Sequence, residues 1–425
     1  MFENFEQVEA FIASRKSLGM KPGLDRVKAL LSLVNNPEKR MRAIHVAGTN
    51  GKGSTIQFLK DALKAEGYQV GVFTSPSMTG VTGHIVLNDS NIPEKTFLEL
   101  LNAIHPAIMQ LDRQSQAPTE FEIITVLAFM YFSNNTDIAL IEAGMGGRGD
   151  TTNVFSPILS IITNVARDHT AFLGDTTAEI AYQKAGIIKK HAPVISGHMD
   201  KEALHVIEKE ARLHESQFYQ LGRDFSYTDP EKNQAIQKFS WHRDNDYSAS
   251  IAIRMQGEHQ IKNASIAYMA LIQLNDLGYV LDLKRATIAI ENTQVPGRFE
   301  VIQRDPVIII DGAHNPAGIQ GFIETVEENY QAKERHLLFA AFKDKELETM
   351  LNQLSTHFSS ITLTSFDHPR AAQADALYQA TKAVEKKICN DWEEAIKKML
   401  EHKNHYYFIT GSLNFIASVR KYVKQ

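Results

Sequence analysis

Along this chain, short runs of β-branched and other apolar residues alternate with stretches whose apolar positions return every three or four residues, the signature of strands and amphipathic helices in turn. Residues 41–46 read as a buried strand, 48–53 as a glycine-rich turn, and 54–66 as a helix with Ile56, Leu59 and Leu63 on one face. Strands are also expected over 137–142 and 158–163, each ending in a polar cluster of the kind that open parallel sheets use for ligands. Residues 221–254 are more polar and alternate in short pieces such as Ser248-Ala249-Ser250-Ile251-Ala252-Ile253, which predicts a small antiparallel patch at a sheet edge. Helical periodicity covers 263–274 and 283–291 until Val295-Pro296-Gly297 breaks it. Beyond the break, strand patterns over 307–311, 336–341, 360–366 and 405–410 alternate with helical segments, enough for a second doubly wound unit. The expected class is α/β, with one domain over residues 1–295 and a smaller Rossmann-like α/β domain over residues 296–425.

A length of 425 residues with 43% hydrophobic content suits roughly two or three domains with real cores. The 45 basic and 50 acidic side chains nearly cancel, leaving a formal charge of −5, so no general electrostatic case exists for nucleic acid as a partner. Any basic site must be local. Cys389 is the sole cysteine, which excludes an intramolecular disulfide and a thiolate metal cluster. The opening Met1-Phe2-Glu3-Asn4-Phe5-Glu6 is acidic where a secretory peptide would be basic, and no apolar run approaches the roughly 18 residues of a membrane span. A cytoplasmic protein with no membrane partner is expected, acting as a monomer.

The strongest chemical signal is Gly48-Thr49-Asn50-Gly51-Lys52-Gly53-Ser54. Small residues let backbone N–H groups approach phosphate, Lys52 brings charge, and the Ser54 hydroxyl can ligand magnesium. The loop is a variant P-loop, since Val46 stands where the strict pattern has its first glycine and Gly53 where it has serine or threonine. Its position between a strand and an amphipathic helix is the context that phosphate binding requires.

Other side chains at strand ends extend this picture. Glu142 and His169 each follow an expected strand, and with the hydroxyls of Ser54 and Ser75 they can surround a nucleotide-bound magnesium. Taken singly, His169 is more often a hydrogen-bonded loop histidine, and Glu142 a helix cap or a partner for Arg148. Arg298 can neutralise a phosphoryl group, and Asp311 and His314 close the apolar strand Val307-Ile308-Ile309-Ile310. Their plainer readings are a linker salt bridge, a turn former and a capping partner. Asn263 can pair with an adenine edge or simply open a helix. Phe121, in Thr119-Glu120-Phe121-Glu122, can stack on a flat ring or belong to the core, and Asp150 can accept bonds from ring nitrogens or form a turn.

Read in order, the loop is joined by Thr74-Ser75-Pro76, Glu142-Ala143-Gly144-Met145-Gly146-Gly147-Arg148, Asp168-His169-Thr170, Gln183-Lys184-Ala185-Gly186-Ile187, Pro296-Gly297-Arg298, Asp311-Gly312-Ala313-His314-Asn315-Pro316 and Thr410-Gly411-Ser412-Leu413. This ordered set resembles the folylpolyglutamate synthase and dihydrofolate synthase family within the Mur ligase superfamily, over nearly the whole chain. The resemblance implies a P-loop-containing, Mur-ligase-like ATPase domain followed by the smaller Rossmann-like domain. It also implies an ATP-dependent amide ligase that adds L-glutamate to the γ-carboxylate of a folate through an acyl phosphate, with dihydrofolate synthesis as a further activity.

Carried over residue by residue, the resemblance makes Gly48, Thr49, Asn50, Gly51, Lys52, Gly53, Ser54, Asn263, Arg298 and Asp311 nucleotide contacts. It makes Ser54, Ser75, Glu142, His169 and Lys184 ligands of two Mg2+ ions, with Lys184 as a carbamate, an oxygen ligand where the free ammonium would repel metal. Lys52, Lys184 and His314 then serve catalysis, while Thr119, Phe121 and Asp150 line the pterin pocket. Closure of the two halves on one ATP is part of what the family implies. Departures fall on the acceptor side, at Ser77 and at Gly149 and Thr151 around Asp150, and leave the nucleotide residues intact. Two other classes share the loop: a small-molecule kinase, which needs no glutamate, and a nucleotide-switched binding module, which needs no turnover.

Overall fold

The computed structural model describes residues 1–19, 21, 23–243, 247–332 and 334–424. In the first part of the chain lie β1 (Ala43–Ala47), β2 (Val70–Phe73), β3 (Ile85–Leu87), β4 (Ser90–Asn91), β5 (Ile138–Glu142), β6 (Leu159–Ile162), β7 (Val194–Ser196) and β8 (Phe218–Gln220). They form one sheet in the order β4-β3-β2-β5-β1-β6-β7-β8. From β2 to β8 across this order the pairing is parallel, while β3 and β4 join antiparallel at one edge. Strands β1, β2, β5 and β6 are buried at every position, so their sequences are continuous apolar runs rather than alternating ones.

Helices complete the layers. The helix Lys52–Ala65 begins slightly ahead of the expected 54 and buries Ile56, Leu59 and Leu63. The helix Leu283–Asn292 follows in the same unit, where Thr293 donates its hydroxyl to Asp61 at 2.8 Å. The helix Glu120–Asn135 starts at a capping box, with the Thr119 hydroxyl accepting from the Glu122 amide and Glu122 accepting from the Thr119 amide at 2.7 Å.

Residues 221–254 depart from the expected edge patch. β9 (Phe225–Lys232), β10 (Gln237–Arg243) and β11 (Tyr247–Ile253) make a separate three-stranded sheet in the order β11-β10-β9. Trp241 supplies the reason. It is fully buried, stacks on Phe225 at 5.8 Å, meets Tyr268 edge-on at 4.9 Å, and donates its indole N–H to the Ser265 carbonyl at 3.2 Å. The strands therefore have a core of their own against the helix Glu258–Asp276, which begins ahead of the expected 263.

The last part of the chain carries β12 (Glu300–Arg304), β13 (Val307–Ile310), β14 (Arg335–Phe339), β15 (Ser360–Leu363), β16 (Lys386–Ile388) and β17 (Tyr406–Thr410), ordered β12-β13-β17-β14-β15-β16. All neighbours are parallel except β12, which runs antiparallel to β13 across an irregularity between Val301 and Gln303. Ile308, Ile309 and Ile310 are fully buried, with Ile309 in one apolar cluster and Ile308 and Ile310 in another, as a strand covered on both faces requires.

The chain divides into two compact units, Met1–Asp229 with Phe239–Ala252 and Lys262–Thr293, and Pro230–Lys238 with Ile253–Ile261 and Gln294–Gln425. Pro230–Lys238 and Ile253–Ile261, together with Gln294 and Val295, thus belong with the second unit. Among the described residues, no helix is long and apolar enough to cross a membrane.

Candidate active site

Parallel pairing sets Val46 of β1 level with Glu142 of β5 and Ile161 of β6, so three loops leave the sheet side by side at the carboxyl strand ends. The loop after β1 is held from the β6 side. Asn164 Oδ1 accepts from the amides of Thr49 at 3.1 Å and Asn50 at 2.9 Å, the Thr49 hydroxyl donates to the Ala166 carbonyl at 3.0 Å, and the Thr163 hydroxyl donates to the Asn50 carbonyl at 2.6 Å. Gly51 then takes the left-handed conformation at φ 83° and caps the helix Lys52–Ala65; a Cβ there would collide with the Asn263 amide oxygen. Asn263, buried on the helix Glu258–Asp276, lies against the phosphate loop and not at a helix start. The first-turn amides of Lys52, Gly53 and Ser54 have no acceptor within their own helix, and the helix dipole makes that end attractive to phosphate.

Lys52 folds back over this loop. Its Nζ donates to the Gly48 carbonyl at 3.1 Å and the Thr49 carbonyl at 3.4 Å, and stands 3.7 Å from Glu142 Oε1. Glu142 therefore faces the lysine of the phosphate loop rather than Arg148. Arg148 instead pairs with Glu210 at 2.6 Å and lies over the Tyr182 ring at 4.0 Å. Ser54 is buried in the first helical turn, and Ser75 is half-buried beyond β2, whose Phe73 is level with Ile141 of β5.

Past β6, Asp168 is buried and His169 is half-buried in the left-handed conformation at φ 52°, where its amide donates to Asp168 Oδ1 at 2.8 Å. The helix Thr177–Ala185 follows a capping box formed by Thr176 and Glu179 and carries Lys184 in its last turn. Gly147 packs against this turn, and a Cβ there would come within 2.8 Å of the Gln183 and Lys184 carbonyl oxygens. Lys184 is only 3% exposed. Burial pulls its ammonium down to about 7, with Lys52 adding to the shift and Asp168 and Asp150 opposing it. A lysine in this state is substantially a neutral amine near neutral pH, and so a nucleophile.

On the acceptor side, Phe121 and Asp150 flank Gly144 just beyond β5; a Cβ on Gly144 would lie 2.9 Å from the Phe121 ring and 3.4 Å from Asp150 Oδ2. Phe121 also meets Phe73 with ring centroids 5.7 Å apart and remains half-buried, while Thr119 serves as a helix cap. Asp150 is buried and accepts from the Met145 amide at 2.8 Å, the Thr152 amide at 3.0 Å and the Thr152 hydroxyl. Burial raises its carboxyl above the usual range, against the lowering effect of those bonds and of Lys52. Both oxygens brace the loop, so Asp150→Ala is expected to cost about 1–3 kcal/mol, read as a lowered urea midpoint at unchanged m value; an unaltered midpoint would show that the brace carries no stability.

In the second unit, Asp311 directly follows β13, the neighbour of β17, and accepts from the amides of Phe299 and Ala313, each at 2.8 Å. Burial raises its carboxyl, with Arg298 the largest opposing influence. The Arg298 guanidinium packs beside Gly312, where a Cβ would be 2.7 Å from Nη1. His314 shares a 2.9 Å hydrogen bond between Nδ1 and the Gly312 carbonyl. The capping role considered for it belongs to Asn315, whose side chain accepts from the Gly318 amide at the start of the helix Pro316–Asn329. Arg298, Asp311 and His314 thus form one group in the second unit, while Lys52, Glu142, Lys184, Asp150 and Asn263 belong to the first. Sequence reading overlooked Asn164 as the residue that ties down the phosphate loop; its place directly beyond an apolar strand was the available signal.

The chain matches the Mur ligase middle domain over residues 46–271 and the Mur ligase glutamate ligase domain over residues 297–413. Over 431 aligned residues it is 37% identical to the dihydrofolate synthase/folylpolyglutamate synthase of Bacillus subtilis (strain 168), covering 100% of each chain. It belongs to the folylpolyglutamate synthase/dihydrofolate synthase family of Mur ligases. Another family member, the folylpolyglutamate synthase of Lacticaseibacillus casei, is 32% identical over 98% of each chain. The Mycobacterium tuberculosis folylpolyglutamate synthase complexed with ADP and AMPPCP superposes with a TM-score of 0.91 at 26% identity, covering 99% of this chain and 98% of that one. The family and α/β class expected from the motif series are both met.

Proposed function

We propose that this protein is an ATP-dependent amide ligase that joins L-glutamate to the γ-carboxylate of a tetrahydrofolate. The observation that carries the reading is the meeting of Lys52, Glu142 and the buried, partly neutral Lys184 around the phosphate loop of a Mur ligase family chain. A carboxylate is a poor acyl donor until one of its oxygens becomes part of a good leaving group. In the proposed reaction that oxygen attacks the γ-phosphorus of ATP, ADP departs, and an acyl phosphate forms. The free amine of glutamate then adds to the acyl carbon, loses a proton, and expels phosphate as the amide forms. Lys52 lowers the repulsion between the incoming carboxylate and the triphosphate, and the loop amides hold the phosphates in line.

The remaining roles follow the same reading. Asn263 contacts the adenine edge; Arg298 and Asp311 contact ATP, and His314 serves the reacting centre. Phe121 stacks on the pterin, with Thr119 and Asp150 shaping that pocket. The buried carboxylate of Glu142, the hydroxyls of Ser54 and Ser75 and the imidazole of His169 fit a hard divalent ion, and a carbamate on Lys184 would complete the oxygen donors. Magnesium held by these residues would supply charge neutralisation on the transferring phosphoryl group. The carbamate arises when the neutral amine of Lys184 attacks the carbon of CO2 and releases a proton.

A second acceptor, dihydropteroate, is supported by the whole-chain similarity to a relative named for both activities. Incubation with ATP, magnesium, labelled glutamate and either tetrahydrofolate or dihydropteroate tests the proposal. Label in the tetrahydrofolate product, with phosphate release dependent on glutamate, is expected. A stable phosphorylated acceptor formed without glutamate would mark a kinase instead, and nucleotide binding without turnover would mark a binding module.

A further inference from the structure

At the amino end of the second unit's sheet, Glu334, His336 and His405 bring three ligand atoms together. Arg335 of β14 is level with Tyr406 of β17, so Glu334 and His405 are the residues that lead into two adjacent parallel strands. His336, one step along β14, turns its Nε2 towards the same point, 2.6 Å from His405 Nδ1 and 3.6 Å from Glu334 Oε2; Glu334 Oε2 is 3.5 Å from His405 Nδ1. Asp311 and His314 follow the carboxyl end of β13 in this sheet. At about 3.3 Å per residue, the length of a strand separates this cluster from that end.

We propose that Glu334, His336 and His405 form a binding site for a divalent transition ion of the zinc class, separate from the nucleotide chemistry. Two imidazoles and one carboxylate are a recurrent donor set for zinc with an open fourth position. Tetrahedral ligands about 2.0–2.1 Å from zinc are about 3.3 Å from one another, close to the two carboxylate edges of this triangle. The third edge is a hydrogen bond between the rings, so the ion replaces the shared proton and the edge opens by a fraction of an ångström. His336 is also held from behind. Its Nδ1 lies 2.8 Å from Ser360 Oγ on β15, the outer partner that fixes a ligand histidine's tautomer and ring orientation.

Electrostatics agree with this geometry. Burial lowers the basicity of the His336 ring, with His405, Lys387 and His402 acting in the same direction and Glu334 opposing them. The site is open to solvent, with side-chain exposures of 22% for His336 and 32% for His405. An ion here would clip β14 to β17 through residues that precede or begin both strands.

Calorimetric titration of the full chain with Zn2+, without nucleotide, is the test. One equivalent binding with a dissociation constant in the micromolar range is expected for the native chain. Affinity at that stoichiometry should fall at least tenfold in Glu334→Gln and in His405→Gln, while glutamate ligation is retained. The native chain alone gives a second readout: Zn2+ should shield His336 and His405 from diethyl pyrocarbonate, located by mass spectrometry, more than the exposed His402. Equal binding in the variants, affinity no better than millimolar, or no selective shielding would overturn the proposal.

Discussion

Replacement of Lys52 by alanine is expected to lower kcat by about 10²- to 10³-fold, the scale on which loss of one preorganised charge-stabilising donor acts. The physical reason is local. The Lys52 side chain is only 16% exposed, so its charge operates where water screens poorly, and it lies between the phosphate-loop carbonyls and Glu142. Removing it takes the lysine charge away from between Glu142 and the triphosphate, which raises the barrier to carboxylate attack. The change should fall mainly on kcat, with the native melting transition retained, because the Lys52 contacts are a loose ion pair and bonds to loop carbonyls. Steady-state kinetics alongside thermal melting provide the check, and near-native turnover would remove Lys52 from the chemistry.

Lys184 gives the second large effect. Lys184→Ala is expected to reduce ligation by about 10²-fold or more, because the carbamate proposed on this lysine would be an oxygen ligand of the metal. A side chain whose pKa is lowered to about 7 gains neutral amine as pH rises through that value, and only the neutral amine captures CO2. Carbamate content, and with it activity, should therefore rise from pH 6 to pH 8 and respond to bicarbonate at the lower end. After equilibration with 13C-labelled bicarbonate, the native chain should give a carbamate carbon resonance that Lys184→Ala lacks. A variant as active as the native chain at every bicarbonate concentration would eliminate this role.

Both residues illustrate how legible the site was in the sequence. The phosphate loop could be read because its glycines, lysine and serine sit between a continuous apolar strand and an amphipathic helix, and local pattern fixes all three. Lys184 was harder. A helix lysine is ordinarily solvated, yet Ile180, Ala181, Lys184 and Ala185 are all buried, and their spacing places the lysine on the inward face of its helix. Pairing partners were beyond reach, because whether Glu142 meets Lys52 or Arg148 depends on packing that brings Glu210 to Arg148.

The fold followed the same division. Strands β1, β5, β6, β13 and β17 were visible as apolar runs because they are buried within parallel sheets. The β12 sequence Glu-Val-Ile-Gln-Arg and the β16 sequence Lys-Lys-Ile lie on edges with exposed positions, and charge hides their strand character. The separate sheet β9-β10-β11 was read as an edge patch because its core is assembled by Trp241 against Phe225 and Tyr268, contacts that alternation alone does not encode.

In the proposed reaction, ATP activates the folate carboxylate itself before glutamate arrives. Tetrahydrofolate carrying 18O in its γ-carboxylate, incubated with ATP, magnesium and glutamate, tests this directly through mass analysis of the released phosphate. Transfer of one 18O atom into phosphate for each amide formed is the predicted result, since the activated oxygen leaves with the phosphoryl group. Phosphate free of the label while amide accumulates would contradict the acyl-phosphate route.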